Sequence, residues 1–405
     1  MRELAILATG RERSLFADDM AARHDQIADA IAGKRVLVIG GAGSIGGATL
    51  RELLRSYGPV AAHVVDHDEN GLAELARDLR GGGLTAGAMD LRLMPLDYGA
   101  TVTQQFLRRA GPYDIVLHFA ALKHVRSEKD PASILHVLDT NVLKQQRLLE
   151  WLAQDGAPAR YFSVSTDKAA NPVNFMGASK RLMEHLLFTE GLAPIPAAVR
   201  TSARFANVAF SAGSLLESFA RRLDRGQPLA VPRDTRRYFV SLEESAHICL
   251  LACTVFPSGT IAVPRLREDG DMRDLIPIAE SFLRTRGYEP VLYDDEAAAG
   301  RAVATDSTRG RWPLLHTPRD TDGEKAYEEF AGVHESPAEI GLEALLAIAQ
   351  SGADPAALRA TLTILQDWVD DPSANASRED IARALRGVIP EFQPVTRGRS
   401  LDDRR

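Results

Sequence analysis

Arg35-Val36-Leu37-Val38-Ile39-Gly40-Gly41-Ala42-Gly43-Ser44-Ile45-Gly46 is the stretch that decides the fold of this chain. Its first five residues are a short, β-branched, apolar run, the pattern of a strand buried on both faces. Three glycines follow at a spacing of G-x-x-G-x-x-G (Gly40, Gly43, Gly46), and a helical pattern runs on from Ala48 to Tyr57. Strand, glycine turn and helix in direct succession form a cradle. The glycines permit a tight turn and let the backbone approach a pyrophosphate at a helix N-terminus. Gly40, Gly43, Ser44, Ile45 and Gly46 are therefore candidate dinucleotide contacts. A second apolar run, Ala61 to Val65, ends at Asp66, twenty residues after Gly46. A carboxylate there can accept both hydroxyls of an adenosine ribose and would repel a 2′-phosphate, which favours NAD over NADP.

The alternation continues outward from that unit. Strand patterns at Arg92–Leu96, Ile115–Phe119 and Tyr161–Val164 alternate with helical patterns at Leu72–Leu79, Val102–Arg109, Ser133–Gln154 and Gly177–Phe188. Strands alternating with helices across short connections predict an α/β fold, a Rossmann-type doubly wound parallel sheet. From about residue 206 the alternation weakens and Gly- and Pro-containing loops multiply. The expected organisation is an N-terminal helical extension (1–33), a dinucleotide-binding domain (34–205), a smaller substrate lobe with some segments returning to the sheet (206–334), and a C-terminal helical extension and tail (335–405). The tail arginines Arg397, Arg399, Arg404 and Arg405 read as a solvated end.

Composition narrows the classes. The 405 residues are 45% hydrophobic, enough for a large core, and the net charge of −7 argues against a general nucleic-acid surface. Cys249 and Cys253 lie four apart in an apolar helical pattern and read as buried reduced thiols. No apolar run approaches the roughly 20 residues of a bilayer span, and no signal-peptide pattern is visible. These features predict a soluble, cytoplasmic protein without membrane insertion. His63, Asp66, His67, Asp68 and Glu69 cluster, but no second ligand group has matching spacing, so no metal is expected. Asp97 and Tyr98, after the third strand, suit either an adenine contact or a plain turn.

The chemistry concentrates in Ser165-Thr166-Asp167-Lys168, which leaves the run Tyr161–Val164, and in Met176-x-x-x-Lys180 behind it. A hydroxyl, a carboxyl acid and an amine sit side by side at a strand end, where open α/β sheets place ligands. Met176 lies one helical turn before Lys180, on the same face, and reads as an apolar wall.

Together, Gly40-x-x-Gly43-x-x-Gly46, Asp66, Ala120-Ala121-Leu122-Lys123-His124-Val125, Asn141-Val142, Thr166-Asp167-Lys168, Met176-x-x-x-Lys180, Arg204-Phe205-Ala206-Asn207-Val208, Arg237-Tyr238-Phe239-Val240-Ser241 and Gly323-Glu324-Lys325-Ala326-Tyr327-Glu328-Glu329 resemble the UDP-N-acetylglucosamine 4,6-dehydratases, members of the extended short-chain dehydrogenase/reductase superfamily active in bacterial polysaccharide and glycan biosynthesis. The resemblance covers about residues 34–330. Most extended members carry a Tyr where this chain has Met176, so it looks like the Met-containing branch. It also departs in having Ala206 where the family usually has Gly, and Ala209-Phe210 where it has Leu-Gly.

The resemblance implies an enzyme with bound NAD and a UDP-sugar substrate, forming homo-oligomers. It assigns Asp167 as the acid at C6 of the sugar and Lys168 as the base at C5. Such a pair works if burial keeps the acid protonated and the amine neutral. Thr166 would hydrogen-bond the C4 oxygen, and Lys180 would hold the nicotinamide ribose and favour a C4 alkoxide. Ala120 and Ala121 would line the cofactor, and Lys123 and His124 the crevice. Asn207, Ser214 and Arg237 suit a diphosphate, with Arg236 a neighbouring competitor. Glu324 would close the nucleotide-sugar pocket. Two other functions fit such a chain less well: a 4-epimerase, which needs no C5 base and normally has the Tyr, and a non-catalytic dinucleotide-binding protein, which would not need Asp167, Lys168 and Lys180 together.

Overall fold

The Arg35–Ile39 run forms an interior strand of a nine-stranded sheet. A computed structural model of the chain describes residues 2–85, 89–123, 128, 130–192, 194–318, 328–350 and 352–394. The strands in chain order are β1 (Arg35–Ile39), β2 (Ala61–Asp66), β3 (Asp90–Pro95), β4 (Ile115–His118), β5 (Arg160–Val164), β6 (Val199–Ala203), β7 (Asn207–Val208), β8 (Leu229–Pro232), β9 (Arg236–Val240), β10 (Thr260–Pro264), β11 (Met272–Asp274), β12 (Glu289–Tyr293), β13 (Arg311–Thr317), β14 (Pro337–Ala338) and β15 (Leu345–Ala349). The main sheet runs β14-β15-β10-β6-β5-β4-β1-β2-β3. From β3 to β10 every neighbouring pair is parallel. The order reverses between β1 and β4, and such a switch point opens a crevice at the strand ends.

Two apolar layers cover the sheet. One joins helices Thr101–Ala110, Lys144–Gln154 and Phe175–Phe188 to the C-terminal helices Pro355–Asp370 and Arg378–Arg386. The other joins Ser44–Ser56, Glu69–Gly81 and Leu242–Thr254 to the N-terminal segment through Phe16, Ile27 and Ile31. Cys249 and Cys253 are buried free thiols in that second layer. A third cluster lies in the lobe, around Phe210, Phe219, Phe282 and Trp312. The lobe carries two small sheets, β11-β9-β7 and β12-β13-β8. Among the described residues no helix is long and apolar enough to cross a membrane.

Two elements differ from the sequence reading. The stretch around Leu345–Ala349, read as helical, is strand β15, antiparallel to β10 and followed on its far side by β14. A short apolar run carries no period that separates strand from helix, and here an open sheet edge takes it up. The helix expected over Ser133–Gln154 is instead Pro131–Leu138 and Lys144–Gln154 joined through a π-turn, Asp139–Leu143. The side-chain pattern of a π-bulge is nearly that of the helix containing it, so composition alone conceals it.

Candidate active site

Gly40 leaves β1 with φ +82°, a left-handed conformation open to glycine. A Cβ on Gly40 would lie 2.4 Å from Ala120 N, and one on Gly46 would lie 2.4 Å from Gly40 O. The loop is therefore wedged against the end of β4. Gly43 occupies the N-cap of helix Ser44–Ser56, and no side chain caps it. The first-turn N–H groups around Ser44, Ile45 and Gly46 thus face the crevice as an anion site. Asp66 closes the loop from β2: its Oδ2 accepts from Ala42 N at 2.9 Å and its Oδ1 from Asp68 N at 3.0 Å. A carboxylate oxygen retains further acceptor capacity, so the ribose role remains open to it. The cradle fits a dinucleotide.

The structure separates the two residues after β3. The Asp97 carboxylate pairs with Lys144 and accepts from Gly99 N. Burial opposes its charge, but these partners prevail and hold the acid below its ordinary value. Tyr98 is a core residue: its hydroxyl donates to Thr140 O and its ring packs against His118. Asp97 and Tyr98 behave as turn and core residues in this arrangement. His63, from the tempting cluster, is sealed between the Tyr113 hydroxyl and Asp90. No metal-holding group of His, Cys, Asp and Glu occurs among the described residues.

At the end of β5 the chain forms a short 3₁₀ turn, Asp167–Ala169. Thr166 Oγ1 donates to Asp167 Oδ1 at 2.6 Å, and Lys168 Nζ lies 3.2 and 3.3 Å from the two Asp167 oxygens. Asp167 is buried, while Lys168 keeps about a third of its side chain exposed. Helix Phe175–Phe188 starts immediately beyond, with Asn174 as its N-cap. A Cβ on Gly177 would come within 2.5 Å of Lys168 O, so glycine there lets helix and turn touch. One turn along, buried Lys180 donates to Val164 O at 3.0 Å. Burial pushes its amine down to about 8. Met176 is buried beside them, and its N–H donates to Glu128 Oε1 at 2.8 Å.

Support for this cluster comes from residues to which the sequence assigned no role, Ser165, Asn141 and Arg204 of the quoted motifs and the unmarked Glu184 and Glu335. Ser165 donates to Glu184 at 2.6 Å, and Glu184 pairs with fully buried Arg204. Arg204 also holds Glu335 and Phe330 O. Asn141, in the π-turn, grips Leu122 through both backbone groups and accepts no less firmly a place beside Ser179, to which it donates at 2.8 Å. Glu184 follows Lys180 by four residues, so helical spacing was the one available signal for it.

The lobe supplies the opposite wall. Lys123 Nζ donates to Ala212 O at 2.7 Å, and Ala212 N donates to Ser44 Oγ at 2.9 Å. One lobe loop thus bridges the dinucleotide cradle and Lys123. Phe210, the departure from the family's Gly, holds a left-handed φ of +55° with its ring buried against Phe282. The conformation costs about 1–2 kcal/mol, which burial of an aromatic ring, about 1.5–3 kcal/mol, offsets. Ser214 is the N-cap of helix Leu215–Asp224, accepting from Glu217 N. Arg237 is largely buried and paired with Glu328, whereas Arg236 is exposed and turned to Glu268 and Asp274. Asn207 Nδ2 donates to Glu328 Oε1. The structure therefore brings Thr166, Asp167, Lys168 and Lys180 together, with Asn207 and Arg237 across from them through Glu328. His124 and Glu324 lie outside the described residues.

Comparison with known proteins places the chain. The profile of the polysaccharide biosynthesis protein family matches residues 36–348. The chain belongs to that family. An uncharacterized membrane protein of Methanocaldococcus jannaschii is 34% identical over 64% of this chain and 74% of its own length. A probable polysaccharide biosynthesis protein of Bacillus subtilis is 26% identical over 70% of this chain, which spans 47% of that relative. A UDP-N-acetylglucosamine 4,6-dehydratase (inverting) of Campylobacter jejuni is 27% identical over 58% of this chain and 67% of its own. Among solved structures, Pen from Bacillus thuringiensis aligns with a TM-score of 0.62 at 21% identity, covering 79% of this chain and 88% of that one. MoeE5, solved with UDP-glucose and NAD, aligns with a TM-score of 0.52 at 20% identity, covering 74% and 90%. These structures share with this polysaccharide biosynthesis family member the Rossmann-type α/β fold predicted from β1 onward.

Proposed function

We propose that this chain is an NAD-dependent nucleotide-sugar 4,6-dehydratase that acts on a UDP-N-acetylhexosamine, UDP-N-acetylglucosamine first among them, in the cytoplasm, for surface glycan or polysaccharide biosynthesis. The observation that carries the reading is the hydrogen-bonded group Thr166–Asp167–Lys168 set beside Lys180 and the glycine cradle. The relative named as a UDP-N-acetylglucosamine 4,6-dehydratase supports the substrate class.

The residues divide the work. Gly40, Gly43, Ser44, Ile45 and Gly46 would hold the pyrophosphate of NAD, Asp66 its adenosine ribose, and Ala120 and Ala121 its flank. Lys180 would hold the nicotinamide ribose. NAD held there would supply a hydride acceptor for C4 and a donor for C6, so no reduced cofactor would accumulate. Oxidation at C4, with the hydroxyl proton passing to solvent, makes the C5 proton acidic. Lys168 would take that proton and return one to C5 as hydride adds at C6, and Asp167 would protonate the departing C6 hydroxyl so that it leaves as water, each worth about 10²–10⁴-fold. With Asp167 protonated, its O–H can donate to Thr166 Oγ1, which would free the Thr166 hydroxyl to donate toward the C4 oxygen, and the Lys180 cation would stabilise charge developing there. Met176 forms an apolar side of the pocket. Asn207 and Arg237 suit the diphosphate, with Lys123 and the Ala212 loop closing over it.

A 4-epimerase is the second reading, favoured by a relative named UDP-glucose 4-epimerase from Rickettsia typhi, 28% identical over 57% of this chain. That chemistry has no use for a base at C5, where Lys168 is offered. Incubating the purified protein with UDP-N-acetylglucosamine and reading the product by mass and NMR separates the two. A dehydratase yields a 4-keto sugar nucleotide lighter by one water. An unchanged mass with inverted C4 would replace this reading with the epimerase, and steady accumulation of reduced cofactor would replace both with a simple dehydrogenase.

A further inference from the structure

Glu328 is a buried acid facing both halves of the site. Its side chain is 5% exposed. From the lobe it receives Asn207 Nδ2 on Oε1 and Tyr238 N on Oε2, the latter at 2.8 Å, while Arg237 Nε stands 3.6 Å from Oε1. From the sheet side its charged neighbours are Asp167 and Lys168. Burial and then Asp167 push its carboxyl up to about 7, against the opposing pull of Lys168, the Tyr238 N–H and Arg237. Two hydrogen bonds and the Arg237 pair hold the carboxyl in place, yet Asp167 on the sheet side opposes its charge, so it is an acceptor poised between the two halves of the site.

The position has a chemical meaning if the site takes a nucleotide sugar, the reading on which this inference rests. The reacting carbons must then lie against Asp167 and Lys168, and the diphosphate against Asn207 and Arg237. The hexose connects the two, so its path runs along Glu328. We infer that Glu328 forms the wall of the sugar pocket and recognises the hexose itself, accepting a hydrogen bond from one of its hydroxyl or amide N–H groups. Glu328 is bonded to β7 and β9 and faces the turn after β5, so a bound sugar would couple lobe and sheet through it.

Calorimetric titration of the NAD-loaded protein with UDP and, separately, with UDP-N-acetylglucosamine tests this directly. Glu328→Ala is expected to weaken UDP-N-acetylglucosamine binding by about 10- to 100-fold, the size of a hydrogen bond to a charged acceptor, and to leave UDP and NAD binding unchanged. Glu328→Gln, which keeps the shape and an acceptor oxygen, should lie between. In the unaltered protein the preference for UDP-N-acetylglucosamine over UDP should grow as pH rises through about 7, and this growth should vanish in Glu328→Gln. Equal weakening for UDP and the sugar nucleotide would overturn the inference, since Glu328 would then only hold Asn207 and Arg237. Tighter UDP binding in either variant would also overturn it, making the carboxylate a competitor of the diphosphate. Failure of the unaltered protein to bind UDP at all would overturn the nucleotide-sugar reading itself, and this inference with it.

Discussion

At the scale of single residues, the account turns on groups whose chemistry is set by a few contacts. Lys180 is the clearest, a fully enclosed amine lowered to about 8 by burial. In the proposed reaction its cation would assist C4 oxidation, so activity should fall as pH rises through about 8 and the amine loses its proton. Lys180→Arg should move that limb upward. A pH–rate profile that instead rises through 8 would make the neutral amine a base. Asp66 gives a second test. Asp66→Ala should weaken NAD binding and narrow the gap to NADP, and fluorescence titration showing equal affinity for both in the unaltered protein would end the ribose assignment. Thr166, Asp167 and Lys168 were legible because neighbours in sequence are neighbours in space. Glu328 stood in a quoted motif but without a role: it meets Asn207 across 121 positions and Tyr238 across 90, and no local pattern signals such a meeting. Tyr98 shows the opposite case, a residue beside a strand end that folds into the core.

At the scale of elements, helix Phe175–Phe188 is buried along its whole length apart from Arg181. The C-terminal helices pack on helix Pro131–Leu138 and the π-turn beside it, and Phe392 beyond them meets the Phe175 ring. Arg378 completes the junction, donating to Glu128 O at 2.6 Å with its guanidinium 4.8 Å from the Phe175 ring centre. Glu128 in turn accepts from Met176 N, so the C-terminal extension bears on the helix that carries Lys180. The inner end of the same helix is held by the Glu184–Arg204–Glu335 network. Arg204→Met would remove one of the two arginines shared by the buried carboxylates of Glu184 and Glu335 and should cost about 3–5 kcal/mol of stability in urea unfolding; a loss under about 1 kcal/mol would mean the network is not a support. Glu335 is held well below the usual carboxylate range: burial opposes its charge, but Arg204 and Arg181 outweigh it. Its contribution is therefore present above the ordinary carboxylate pKa and lost as pH falls toward the folded value. The strand–helix units up to residue 188 were legible because each carries its own period and its own breaks. β15 and the π-turn were not, because one depends on which edge is open and the other leaves the helical pattern intact.

At the scale of the whole molecule, the sheet order explains where the site lies. The reversal between β1 and β4 opens the crevice into which Gly40, Ala120 and the turn after β5 project. The lobe closes it from above by way of Ala212, Asn207 and Arg237. The chain's own C-terminal helices pack on helix Pro131–Leu138 and the π-turn, so that surface is taken and the expected homo-oligomer would form elsewhere. Light scattering should give a mass above that of one chain, and a single-chain mass would remove the oligomer from the account. The division of labour between Asp167 and Lys168 is the central claim, and exchange at C5 in deuterated water tests it most directly. With UDP-N-acetylglucosamine, the unaltered protein should release a product lighter by one water that carries solvent deuterium at C5. Asp167→Asn should exchange C5 without losing water, and Lys168→Ala should do neither while still binding NAD. Normal dehydration with normal C5 exchange in Lys168→Ala would contradict the account and move the base elsewhere in the crevice.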